Sequence, residues 1–165
     1  MNRIEHQNAL YLVVKMLLSE VRTWAFTYRF PSYVCTHFSK VLFDKMTVQG
    51  VRCGYVIVTF ENNMSHALVA FDTLDRGLIY LEPQDGYEVH AEVGKGIDTG
   101  YAGVDAGSIV TSIRISWNDE MVLEFYECPV CGYILPYDAK NLGGSLARSV
   151  ACPINPEDGA MQRIT

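Results

Sequence analysis

Three side chains in the first half of the sequence have the chemistry of a nucleophilic set: Cys35, His66 and Glu82. A thiolate attacks an electrophilic carbon, an imidazole holds and returns the thiol proton, and a carboxylate fixes the imidazole's tautomer and balances its charge. A second group lies in the last quarter. Cys128-Pro129-Val130-Cys131-Gly132 is a C-x-x-C-G turn, the usual shape of a zinc knuckle, in which two thiolates converge and the glycine relieves the tight turn. Cys152-Pro153 begins like a second knuckle, but Asn155 occupies the place of a fourth cysteine. Structural zinc takes four protein ligands. Either His90 completes the set with Cys128, Cys131 and Cys152, or the site is a degenerate remnant. No thioredoxin-like βαβ pattern surrounds the C-x-x-C pair, which argues against a redox role.

The elements that must position these groups read as follows. Residues 6–25 have a helical period: Leu10, Val13, Val14, Leu17, Leu18 and Val21 fall on one face, and Tyr11, Leu12 and Met16 widen it, so the helix is expected to pack on more than one side. Pro31 ends that region, and Ser32 reads as the N-cap of the next helix. Cys35 then sits in a first helical turn, where backbone N–H groups and the helix dipole favour a thiolate. Cys35, Phe38 and Leu42 share the inward face, leaving Thr36, Lys40 and Asp44 for solvent. His37 lies two positions from Cys35, and side chains at that spacing do not meet on a helix. Gly50 suits the helix C-terminus. Val51–Phe60 is apolar at both parities, as in a central strand buried on both faces, and Cys53 reads as plain core.

His66, Leu68 and Ala70 share one face of the following strand. Leu78–Glu82 is the return strand. A five-residue loop, with Phe71 opposite Gly77, places His66 opposite Glu82 on the same face, with their Cβ atoms roughly 5 Å apart. A slip of one residue would separate them. The rival acid, Asp72, has the right parity but lies roughly 20 Å along the strand and reads as a turn residue. Asp85 and Asn63 are weaker rivals in loops.

Residues 85–106 read as glycine-rich loop, with one short strand near 87–93. Alternation from Ile109 to Trp117 predicts a half-buried strand. Met121, Leu123 and Phe125 predict its hairpin partner, extending the same sheet. Residues 153–165 read as a polar, mobile tail.

The totals bound the reading. The 165 residues suit one domain with a real core, and 49% hydrophobic against 19% charged residues describes a folded globular chain. A net charge of −6 with no basic cluster argues against nucleic-acid or anionic-membrane partners. The apolar run Ala9–Leu18 is broken by Lys15 and is too short to span a membrane; the N-terminus lacks signal-peptide form. Five cysteines without a secretion signal argue against a disulfide framework. These features imply a cytoplasmic protein.

The order of Cys35 at a helix start, Gly50-Val51-Arg52 before a strand, His66-Ala67 and then Glu82-Pro83 resembles the transglutaminase-like group of the papain-like cysteine hydrolases. In that family the cysteine opens the core helix, and the histidine and the acid sit on neighbouring antiparallel strands. The family's usual Asp-Pro is Glu82-Pro83 here, one methylene longer. The resemblance covers Tyr33 to Gln84 and leaves the cysteine knuckle unexplained. It implies an α+β fold, N-terminal helices packed on an antiparallel β-sheet. Residues 1–127 would form the transglutaminase-like catalytic core, and residues 128–165 a cysteine-knuckle extension packed on it. It further implies cysteine-dependent acyl transfer or amide hydrolysis on a peptide or protein amide, with no cofactor required for catalysis. Cys35 would attack the carbonyl, His66 would pass the proton to the leaving amine, and Glu82 would orient His66. The backbone N–H of Cys35 would form part of an oxyanion hole, with Tyr33 and Gln84 near it. The competing class is a non-enzymatic protein-interaction domain with a zinc-knuckle-like C-terminal module.

Overall fold

The computed structural model describes residues 6–22, 25–32, 34–100, 104–138, 140 and 151–164. Tyr33 lies outside the described residues. The chain forms helices α1 (Tyr11–Val21) and α2 (Cys35–Val48), then strands β1 (Gly54–Phe60), β2 (Ser65–Thr73), β3 (Gly77–Leu81), β4 (Glu88–Val89) and β5 (Val110–Trp117). These five strands make one antiparallel sheet in the order β4-β3-β2-β1-β5. Strands β6 (Glu124–Glu127), β7 (Ile134–Tyr137) and β8 (Gln162–Ile164) make a second sheet, with β6 in the middle. A short 3-10 turn, Pro156–Asp158, precedes β8. No helix among the described residues is long and apolar enough to cross a membrane.

The doubly apolar reading of β1 has a direct cause. Tyr55 on one face joins Ala67, Val69, Phe71, Ile79 and Leu81 against Val14 and Leu18 of α1 and Leu42, Phe43 and Met46 of α2. Val56 and Val58 on the other face join Leu68 and Ala70 under Val89, Ile97, Val104 and Val110. The glycine-rich stretch therefore supplies the lid of a second core. Phe125 of β6 closes the helix-side core, its ring 5.3 Å from that of Tyr55 and edge-on to it.

Several local expectations are corrected. Helix α1 starts at Tyr11, not residue 6, because Gln7 is extended: its N–H donates to the Gly50 carbonyl at 3.0 Å and its carbonyl accepts from the Arg52 N–H at 2.8 Å. It packs on one face; Leu12 and Met16 are exposed. The N-cap of α2 is Val34 rather than Ser32, so Cys35 is the first helical residue. Thr36 is buried, not solvent-facing, and its carbonyl accepts from the Tyr55 hydroxyl at 3.3 Å. The hairpin pairs Thr73 with Gly77, two residues from the expected register. Asp72 is a strand residue. β6 does not extend the main sheet; Met121 takes a positive φ of 54°, and the chain leaves β5 for the second sheet. The C-terminal residues expected as a tail form β8, paired with β6.

A reactive cleft and a cysteine cluster

The α2 N-terminus, the start of β2 and the end of β3 meet at one open cleft of about 860 Å³. Cys35, His66 and Glu82 all line it. A two-residue change of register preserves parity, so His66 and Glu82 share a face despite the shorter hairpin loop. His66 Nε2 lies 2.7 Å from Glu82 Oε2. The other Glu82 oxygen accepts the Gln84 N–H at 3.3 Å, which fixes the plane of the carboxylate. Cys35 is half-buried, and its sulfur and the Glu82 carboxylate both act on the His66 ring.

The electrostatics follow from this geometry. Burial is the largest influence on His66 and pulls its pKa down. Hydrogen bonds to Cys35 and to Glu82, with the negative charge of both partners, together outweigh it and raise the pKa to about 9. His66 is thus an imidazolium at neutral pH, with its Nε2–H donated to the carboxylate. Such a neighbour favours the thiolate form of a cysteine.

Glu82 rather than Asp72 is the carboxylate in contact with His66. Asp72 instead meets Asn8 Nδ2 at 3.4 Å and Arg52 at 3.9 Å. Changing Glu82→Gln removes the charge that supports the imidazolium. Its expected effect is to slow Cys35 alkylation at pH 7 about tenfold, the equivalent of one pKa unit. Asp72→Asn is expected to leave the rate within about twofold. Rates measured by mass spectrometry on the Cys35 peptide check this, and equal effects of the two changes would refute the choice of acid.

The second group also comes together. One ligand atom from each of Cys128, Cys131, Cys152 and Asp158 lies within 4.8 Å of the others, so these four side chains can hold a metal ion. Cys131 and Cys152 sulfurs are 3.5 Å apart, and Cys128 Sγ is 3.6 Å from Asp158 Oδ2. A zinc tetrahedron with Zn–S bonds of about 2.3 Å has sulfur–sulfur edges of about 3.7 Å. The Cys131 N–H donates to Cys128 Sγ at 3.4 Å. Burial pushes the Cys152 thiol up, but backbone N–H groups of Asn155 and Ile154 donate to its sulfur and, with the neighbouring thiols, bring it below its ordinary value.

His90 is not the fourth member. It is exposed and paired with Asp98 at 2.9 Å. Asp158 takes that place, oriented by a 2.7 Å hydrogen bond from Asn155 Nδ2. The residue at the fourth-cysteine position thus hydrogen-bonds to the carboxylate that lies beside the three sulfurs.

No family model matches the sequence, and no curated protein matches it. Among solved structures the chain is similar to Polyporus squamosus lectin bound to the human-type influenza-binding epitope Neu5Aca2-6Galb1-4GlcNAc, at 15% identity and a TM-score of 0.45, over 50% of this chain and 34% of that one. It is similar as well to a structure described as a PSL1a-E64 complex, at 15% identity and a TM-score of 0.46, with the same coverage. This chain spans about a third of the length of those it matches.

The family assignment is not carried further, since no family model supports it. The transglutaminase-like or papain-like core gives way to the architecture described above, two helices and two antiparallel sheets. The expectations that rested on the family fall with it: an enzyme of the cysteine hydrolase or acyltransferase type, and a peptide or protein amide as its substrate. Gly50-Val51-Arg52, part of the motif that suggested the family, has a structural role. Gly50 adopts φ 72° after the end of α2, and Arg52 stacks 4.0 Å over Trp117 while pairing with Asp119 at 2.8 Å.

Other cleft residues carried no sequence signal. Tyr28 and Phe30 precede α2, Tyr87 follows β3, and Tyr133 and Ile154 flank the cysteine cluster; all five line the cleft. They come from four separate stretches of chain, with no spacing that links them. His37, set aside as a partner for Cys35, is buried and held at both ring nitrogens: the Val34 N–H lies 3.1 Å from Nδ1, and Nε2 lies 2.7 Å from the Gly132 carbonyl. Burial is the main influence lowering its pKa.

Proposed function

We propose that the cleft is a ligand site with an activated thiol, in which Cys35 is the nucleophile, His66 holds the proton and Glu82 orients His66. The observation that carries this reading is that Cys35, His66 and Glu82 line one open cleft, with the His66 ring 2.7 Å from the Glu82 carboxylate. A solvated surface thiol has no such support. A buried structural one has no access, as at Cys53, where burial alone raises the thiol pKa far above its ordinary value. The function is capture of an electrophilic ligand with a conjugated carbon–carbon double bond: the thiolate forms a sulfur–carbon bond, the π bond breaks, and the carbon that receives its electron pair takes the proton held by His66, with the ligand against Tyr28, Phe30 and Tyr87. Five free cysteines support a reducing compartment such as the cytoplasm.

The test is alkylation with iodoacetamide at pH 6.5, in which the thiolate displaces iodide. Cys35 is expected to react at least about tenfold faster than an ordinary exposed thiol of pKa near 8.5, with Cys35→Ser removing the fast phase. A Cys35 rate no greater than that of glutathione overturns the reading.

A second reading concerns the other cluster. Thiolate ligands in a near-tetrahedral set favour zinc over oxygen-seeking cations. Cys128, Cys131, Cys152 and Asp158 form a structural zinc site that joins the β6–β7 turn to the segment before β8. Metal analysis of the purified chain is expected to find about one zinc per molecule, lost on Cys152→Ser. Absence of zinc at any stoichiometry ends this reading.

A further inference from the structure

We propose that His37 is a positioning residue that couples the metal cluster to Cys35, so that occupancy of the cluster sets the reactivity of the thiol. This rests on both readings above, the activated thiol and the zinc site. The coupling runs through one buried ring. His37 Nδ1 accepts the Val34 N–H at 3.1 Å, so the ring proton sits on Nε2 and is donated to the Gly132 carbonyl at 2.7 Å. Val34 is the N-cap of α2, and Cys35 is the next residue. Gly132 follows the ligand Cys131, and its own N–H donates to the Cys128 carbonyl at 2.9 Å. Two hydrogen bonds thus join the turn bearing two metal ligands to the turn bearing the thiol.

Two further observations place the cluster against the cleft. Gly132 adopts φ 75° and packs on Ser32, where a Cβ would stand 3.6 Å from the serine Cβ. Tyr133 and Ile154, next to the cluster on either side of the knuckle, line the same cleft as Cys35. A bound cation holds the three thiolates and the carboxylate together against their mutual repulsion. Without it, the C-x-x-C turn relaxes and the Gly132 carbonyl leaves the His37 ring. The ring then loses its fixed orientation, and with it the hold on the Val34 N–H that sets where α2 begins. The position of Cys35 relative to His66 depends on that start.

The experiment uses the full chain, loaded with zinc or stripped by a chelator, with folding checked by circular dichroism and bound zinc measured directly. Iodoacetamide labelling is read on the Cys35 peptide. Chelation is expected to slow wild-type Cys35 about tenfold, the scale of losing one hydrogen bond's contribution. His37→Ala is expected to be slow by a similar factor with zinc still bound, and to show no further loss on chelation. Should His37→Ala fail to fold, His37→Gln, whose amide reaches only one of the two partners, serves in its place. An unchanged Cys35 rate after zinc has left overturns the coupling, as does a His37 variant that responds to chelation as fully as wild type. The two supporting readings fail separately and visibly. A chain that never binds zinc ends the zinc reading, and slow Cys35 in the zinc-loaded protein ends the thiol reading; either overturns the coupling as well.

Discussion

Replacing His66 by Ala is expected to slow alkylation of Cys35 about 100-fold at pH 6.5. The magnitude follows from the chemistry of an unassisted thiol. With an ordinary pKa near 8.5, about 1% of such a thiol is ionised two units lower, and only the thiolate reacts. In the native protein His66 is charged well past neutrality, since its pKa stands near 9. Its positive charge beside the thiol supports the ionised form. Alanine removes both charge and hydrogen bond. His66→Gln keeps a donor without the charge and is expected to fall between. The pH profile discriminates further: the variant's rate should climb about tenfold per pH unit up to about 8.5, as for a thiol without a charged neighbour. A loss below about threefold in His66→Ala would mean that the imidazole does not activate the sulfur.

The His66–Glu82 pair was legible in the sequence to the extent that parity carried it. The expected hairpin loop was two residues too long, yet an even error leaves His66 and Glu82 on one face, and their side chains still meet at 2.7 Å. An odd error would have destroyed the pair. Strand β1 was legible because both its faces are covered, which leaves a run of apolar residues with no alternation. The second sheet was not. Its strands have three or four residues and mostly half-buried side chains, so no period develops. The fourth member of the cysteine cluster was hidden for a related reason. The expected position, Asn155, faces its neighbour Asp158 across a 3-10 turn, and only the coordinates show that the carboxylate closes the set. His37 was excluded as a partner for Cys35 by local helix geometry, and that rule held. Its contact with Gly132 spans 95 positions in sequence, beyond the reach of any local rule. The family resemblance rested on short motifs in a plausible order, and no family model matches the chain.

The same imidazolium makes the fold sensitive to alkali. His66 has a pKa near 6.5 when unfolded and about 9 when folded, so the folded state binds its proton more tightly. A group whose pKa rises on folding stabilises the native state fully below its unfolded value, and that contribution is lost as pH rises through the folded value. The window here runs from about 6.5 to 9, and a shift of that size corresponds to about 3 kcal/mol. The site is largely shielded, with side-chain exposures of 11% for His66 and 10% for Glu82, so solvent screening leaves most of it in place. Urea unfolding of wild type and His66→Gln at pH 6 and at pH 9.5 isolates the contribution. The two proteins are expected to differ most at pH 6, with the gap closing by about 3 kcal/mol at pH 9.5. The gap closes because deprotonation leaves a neutral ring between a carboxylate and a sulfur, where burial no longer costs a charge and the ion pair no longer repays it. A gap that stays constant across the window would show that His66 is neutral in the folded protein, and the charged relay would go with it.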